Sequence, residues 1–229
     1  MRILAALALL LLAAGPASAQ RGDTAGKFDY YALALSWSPS YCAFPGAARN
    51  EPHQCGTDRS FAFVVHGLWP QYERGFPRDC ASTQPRSVTP ILGSKMLDIM
   101  PSPRLIQHEW ETHGLCSGLS QTGYFDTLRK MRNKVVVPPV YTNLSQPLTT
   151  SMSALRTAFV KENRGLRADG LAVSCDKNQL REVRICFSKS GAFRSCSSSV
   201  RDQCAAEVVS MPPMRRAQSG PAVRLRTYP

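Results

Sequence analysis

No C-x-x-C pair occurs anywhere in the sequence, which removes the zinc ribbons and related thiolate sites built from such pairs. There is no internal repeat and no stretch resembling a long linker, so a single domain is the expectation. Past the first nineteen residues no apolar run approaches the roughly 20 residues of a membrane-spanning helix, and no membrane anchor is expected. Acidic residues are few, 16 against 28 Lys and Arg, for a formal net charge of +12. That surplus favours polyanionic partners such as nucleic acid or an anionic membrane surface, although charge alone equally describes a solubilising surface. Histidine is scarce as well, with four in the chain: His53, His66, His108 and His113.

What is present begins with MRILAALALLLLAAGPASA. One basic residue, Arg2, precedes an apolar run from Ile3 to Ala14, and Ala-Ser-Ala precedes Gln20. This is the pattern of a secretory signal peptide over residues 1–19, cleaved near Ala19, with the mature chain of residues 20–229 exported to a periplasm or secreted. All eight cysteines, at 42, 55, 80, 116, 175, 186, 196 and 204, fall in the mature part. An even count in an oxidising compartment reads as four disulfides, with roughly a hundred connectivities open. One pair is locally favoured. Cys186 and Cys196 flank FSKSGAFRS, where Lys189, Ser190 and Gly191 suit a hairpin turn that would bring the two sulfurs together. The chain's end, residues 211–229, is basic and reads as a flexible or loosely docked tail; MRRAQSGPAVRLRTYP carries four arginines and two prolines.

Hydrophobic patterning gives the order of elements. FDYYALALSW, from Phe28, and FAFVVHGLWP, from Phe61, suit strands, with Gly67 and Pro70 ending the second, so His66 is expected where a strand runs into a loop. Helical spacing marks residues 88–100, HEWETHGLC at 108–116, then 124–135 and 151–162. The last third, LAVSCDKNQLREVRICFSKSGAFRSC, is strand-rich. Strands at both ends and helices between predict an α+β fold, an antiparallel sheet with helices packed around it.

The segment HEWETHGLC looks at first like the zinc motif H-E-x-x-H, but that motif needs its second histidine at i+4, where this chain has Thr112. On an α-helix His113, at i+5, lies about 140° from His108, too splayed to share a tetrahedral ion. The same wheel places His108, Thr112, Glu109 and His113 on one arc with Trp110 and Glu111 turned away, and Gly114 is read as closing the helix. His53, in NEPHQCG, has no comparable surroundings and is assigned to a surface loop.

FVVHGLWP and HEWETHGLC together resemble the two active-site segments of the ribonuclease T2 family, in that family's order and at about its separation. The resemblance implies an exported, disulfide-bonded endoribonuclease of α+β fold that acts on RNA and not on DNA, and needs no metal or other cofactor. RNA carries its own nucleophile, the 2′-hydroxyl, so the enzyme supplies a base, an acid, and donors around the phosphorane. By resemblance His66 and His113 share the acid and base roles, in an order the sequence leaves open; His108 binds phosphate and Glu109 sits beside it. Trp69 matches the residue on which a base stacks, Phe76 is a candidate second wall, and Trp37 and Tyr41 are candidate rim residues, although all four also suit packing. Thr112 departs from the family, which usually has lysine there. This motivates an alternative, a weakened relative that binds RNA through the same cleft. The implied disulfides are Cys42–Cys55, Cys80–Cys116, Cys175–Cys204 and Cys186–Cys196. No oligomerisation signal is present, and a monomer is expected.

Overall fold

The computed structural model describes residues 22–56 and 59–215. The segment assigned to the signal peptide and most of the basic tail lie outside the described residues. In chain order the elements are β1 (Tyr30–Trp37), α1 (Ser38–Cys42), α2 (Ala47–Asn50), α3 (Pro52–Cys55), β2 (Phe63–Gln71), α4 (Pro90–Ser94), α5 (Pro103–Glu109), α6 (Gln121–Lys134), β3 (Leu148–Ser151), α7 (Met152–Glu162), β4 (Leu171–Asp176), β5 (Gln179–Ser188) and β6 (Val208–Met211).

The fold is α+β. The central neighbours β2, β1, β5 and β4 pair antiparallel in that order, while β6 meets the start of β5 in a parallel pairing at Gln179 and Ser210 and carries β3 antiparallel on its far side. Strand alternation sorts β1 into two faces. Tyr31, Leu33, Leu35 and Trp37 join Val183, Ile185 and Phe187 of β5 in the main core, against Tyr124, Phe125 and Leu128 of α6 and Leu155 and Phe159 of α7. On the opposite face Tyr30 and Ala32 form a small cluster with Ala172, Cys186 and Val200. Beside it stand Ala34 and Ser36, opposite Arg184 and Glu182 of β5.

The helices start where side-chain acceptors permit. Thr89, Ser102, Ser120 and Ser151 each accept a hydrogen bond from the backbone N–H three residues on, opening α4, α5, α6 and α7; such a cap contributes about 1 kcal/mol. Helical structure around residues 88–100 is confined to the five residues of α4, opened by Thr89 and Pro90, and the turns that follow.

Four disulfides join Cys42 to Cys55, Cys80 to Cys116, Cys175 to Cys204 and Cys186 to Cys196, the pairs the resemblance implies. The second ties the loop after β2 to the segment beyond α5, spanning 36 positions. In the chain-entropy picture closure of a loop of that length contributes roughly 3–4 kcal/mol. The part of the tail that is described is docked: Met211 lies in β6, the Pro212 carbonyl accepts from Trp37 Nε1 at 3.0 Å, and Arg215 donates to the carbonyls of Cys42 and Cys55. Trp37 is fully buried against Phe63, so it belongs to the core and not to the rim of a site.

Candidate active site

His66 does not sit at the end of its strand. β2 continues through Gly67 and Pro70 to Gln71, and His66 is an extra residue within it: Val65 pairs with Leu35 and Gly67 with the next residue, Ala34. Such a bulge shifts the alternation by one residue. Val64, Gly67 and Trp69 consequently face the same side as Ser36, Ala34 and Ala32, their partners on β1, and His66 reaches over that side as well, to Glu182.

The second half of the site approaches the exposed edge of β2 from α5. That helix ends at Glu109 and continues as a wider π turn over Trp110–Gly114, then a 3-10 turn over Leu115–Ser117, stopping at Gly118 with φ of 72°. Gly114, expected to close the helix, instead lies within it at φ of −61°; a Cβ there would meet the Trp110 ring at 2.2 Å. The π turn is bonded i to i+5, so His108 and His113 are less divergent than an α-helical wheel gives. Its packing side is Trp110, fully buried against Tyr124 and Phe125 with Nε1 donating to the Pro85 carbonyl at 2.8 Å.

Around His66 the groups converge. Nδ1 is hydrogen-bonded to Glu182 Oε1, and Nε2 lies 3.5 Å from Glu109 Oε1. The other Glu109 oxygen accepts from Trp69 Nε1 at 2.8 Å. That approach requires Gly67, since a Cβ at this position would stand 1.8 Å from Glu109 Oε2 and 2.5 Å from Trp69 Nε1. The Trp69 ring centroid is 5.3 Å from His66 and 5.4 Å from His113, with the Arg184 guanidinium 5.1 Å away. Arg184 donates through Nε and Nη2 to Glu182 Oε2 at 3.1 and 3.0 Å, and Ser36 Oγ donates to Glu182 Oε1 at 3.3 Å.

These contacts separate the charge states. Burial of the His66 imidazole alone would lower its pKa, but the Glu182 hydrogen bond and the charges of Glu182 and Glu109 outweigh both burial and Arg184 and hold it above the ordinary value. His113 is pushed down to about 3, first by burial and then by the charges of His66 and His108. Glu109 is pushed up to about 7 by burial, against the opposing pull of His66 and Trp69. Burial would also raise Glu182, yet His66 and Arg184 together bring it to about 2. One imidazole thus favours the cation and the other the neutral base, beside one carboxyl that protonates near neutrality and one that stays ionised.

The structure brings together His66, Trp69, Glu109 and His113. His108 is exposed and lines a cleft of about 350 Å³ with His66, Tyr41, Phe44, Glu51 and Arg104. Thr112 is exposed on the π turn just before His113. Phe76 is exposed in the loop after β2, its ring covered by the Arg78 guanidinium at 4.4 Å. His53 is exposed on α3. Glu182 and Arg184 escaped the sequence reading; their one signal is an acid and a base two positions apart on the outward side of the β5 strand, at LREVRIC.

Residues 28–196 match the profile of the Ribonuclease T2 family. A ribonuclease of Aeromonas hydrophila is 36% identical over 205 residues, covering 83% of this chain and 86% of that protein. Among solved structures, the RNase-related protein from Calystegia sepium has a TM-score of 0.64 at 21% identity, covering 82% of this chain and 98% of its own. Human RNase T2 has a TM-score of 0.59 at 18% identity, covering 82% and 100%. The family match and the 36% identical ribonuclease place the chain in the ribonuclease class. The chain belongs to the Ribonuclease T2 family, and as such is an endoribonuclease.

Proposed function

We propose that the protein is an exported monomer that cleaves single-stranded RNA by attack of the 2′-hydroxyl on the adjacent phosphorus, without a metal, giving a 2′,3′-cyclic phosphate and then, more slowly, a 3′-phosphate. The observation that carries this reading is the opposite poise of the two imidazoles beside Trp69, whose ring centroid is 5.3 Å from one and 5.4 Å from the other. Neutral His113 takes the proton of the 2′-hydroxyl; the 2′-oxygen bonds to phosphorus; cationic His66 gives its Nε2 proton to the departing 5′-oxygen. In the second step the roles exchange: neutral His66 activates water and protonated His113 returns a proton to the 2′-oxygen. Glu109, part-protonated near neutrality, can donate to a phosphoryl oxygen instead of repelling it. His108, at the cleft mouth, holds the phosphate, and Trp69 offers its ring to a base. Basic charge draws the strand in, in a salt-dependent manner.

The test is incubation of the mature protein with a defined RNA and its DNA counterpart, in EDTA, from pH 4 to 9, with analysis of the ends. Cyclic phosphate on RNA alone is expected, with activity falling at alkaline pH as His66 loses its proton. RNA binding without cyclic-phosphate product would replace this reading with the weakened, RNA-binding relative that Thr112 suggests.

A further inference from the structure

The His66–Glu182 contact spans two strand spacings, from β2 to β5 across β1, roughly 10 Å of sheet. Side chains meet over that distance because β1 presents only Ala34 and Ser36 between them. Glu182 is 4% exposed, a carboxylate in a place where burial is costly unless every oxygen is satisfied. Arg184 satisfies Oε2 alone; Oε1 is turned away from Arg184 toward Nδ1 of His66, with Ser36 assisting. An ion pair serving the sheet alone would place both oxygens on the guanidinium.

We propose that Glu182, held by Arg184, is the positioning residue of His66: it accepts Nδ1–H, fixes the ring so that Nε2 carries the transferable proton, and keeps the imidazole cationic until the leaving oxygen takes it. This rests on the acid role given to His66 above. The partner of one imidazole nitrogen sets what the other can do, and a buried carboxylate is an effective partner because its charge is unscreened. Charged and titratable groups reach His66 from three elements: Glu182 and Arg184 from β5, Glu109 from α5, and His113 from the π turn, with His108 at the cleft mouth. Among the described residues only Glu182 touches Nδ1, so its loss removes the orienting bond as well as a negative neighbour.

Two substrates separate this from a merely structural role: a ribodinucleotide, whose leaving alkoxide must be protonated, and a ribonucleoside 3′-(4-nitrophenyl phosphate), whose leaving phenolate needs no acid. Glu182→Gln is expected to lower kcat on the dinucleotide on the order of 10- to 100-fold, with KM little changed, yet to stay within a few-fold of the parent on the nitrophenyl ester. Its alkaline limb moves to lower pH by about one unit, because an opposite charge has been removed. Arg184→Gln moves that limb the other way, since the cation that opposed His66 protonation is gone. The His66 imidazole followed by NMR shifts in the same two directions, a readout independent of turnover. Equal losses of Glu182→Gln on both substrates, or limbs and titration unmoved in both variants, overturn the proposal. His66→Ala and His113→Ala run in parallel: if His66→Ala is not rescued by the activated ester, the acid role of His66 falls, while agreement between Glu182→Gln and His66→Ala still decides whether Glu182 acts through His66.

Discussion

Thr112 occupies the exposed position before His113, on the turn that carries the proposed base. Its hydroxyl can donate one neutral hydrogen bond, whereas an ammonium there would add a full charge beside the phosphorane. Arg104 and Arg181 line the cleft, and the Arg184 guanidinium stands 5.1 Å from Trp69. Thr112→Lys is therefore expected to raise kcat about 10-fold or more, with little change in thermal stability at so exposed a site. Steady-state kinetics on RNA at pH 5–6 checks it; an unchanged kcat would mean that an existing arginine already neutralises the transition state. Individual residues were legible through the two segments that carry the family resemblance: His66, Trp69, Glu109 and His113 stand in them and meet in the fold. Glu182 was not legible, because its partner is 116 positions away and nothing local distinguishes it from a solvated charge on a strand.

Two irregular elements, the bulge in β2 and the π turn after α5, place His66 and His113. Neither was legible, since periodicity finds regular strands and helices, and an inserted residue looks like strand end or helix drift. Hence His66 reads as standing where a strand runs into a loop and His108 and His113 as widely splayed, while the segments that obey one period, α6 and α7, were found to within a few residues. The bulge also brings Gly67 under Glu109, where no Cβ fits. Gly67→Ala is expected to displace Glu109 and Trp69 together, lowering kcat/KM at least 100-fold while the protein still folds, with stability reduced by about 1–3 kcal/mol. Kinetics and calorimetry on the purified variant measure both; retained activity would show that Glu109 need not approach Trp69.

Over the whole molecule, site and stability share the same protons. Glu182 at about 2 and His113 at about 3 lie below their unfolded values, so the stability they supply is present near neutrality and is lost on acidification, His113 below about 6.5 and Glu182 below about 4.5. Glu109 at about 7 and the raised His66 act in the opposite sense: the native state holds their protons longer, and their contribution drains away as pH rises, for Glu109 between about 4.5 and 7. Between pH 4.5 and 6.5 the Glu109 and His113 slopes oppose one another, so Tm is expected to be flat there and to decline on both sides. Glu109→Gln should replace that plateau by a Tm that rises from about pH 4.5 to 6.5, because the His113 slope is then unopposed, while impairing catalysis. Scanning calorimetry from pH 3 to 9 on both proteins decides it, and a Tm that climbs steadily to pH 8 in the parent would contradict the assignment. At this scale the sequence was informative through cysteine count, charge and element order; topology, with β5 joining strands from both ends of the chain, depends on long-range pairing that no local pattern carries.

The bulge in β2 has a genetic corollary. Val65 and Gly67 pair with Leu35 and Ala34, which are consecutive, so the ladder already runs as if His66 were absent. Loss of that one codon would leave every remaining pair in register and give a smoother strand, with Trp69, the cleft and the four disulfides kept. The residue proposed as the general acid is the one the sheet can spare. A single in-frame deletion would thus remove the proposed acid and leave a scaffold free to take up binding.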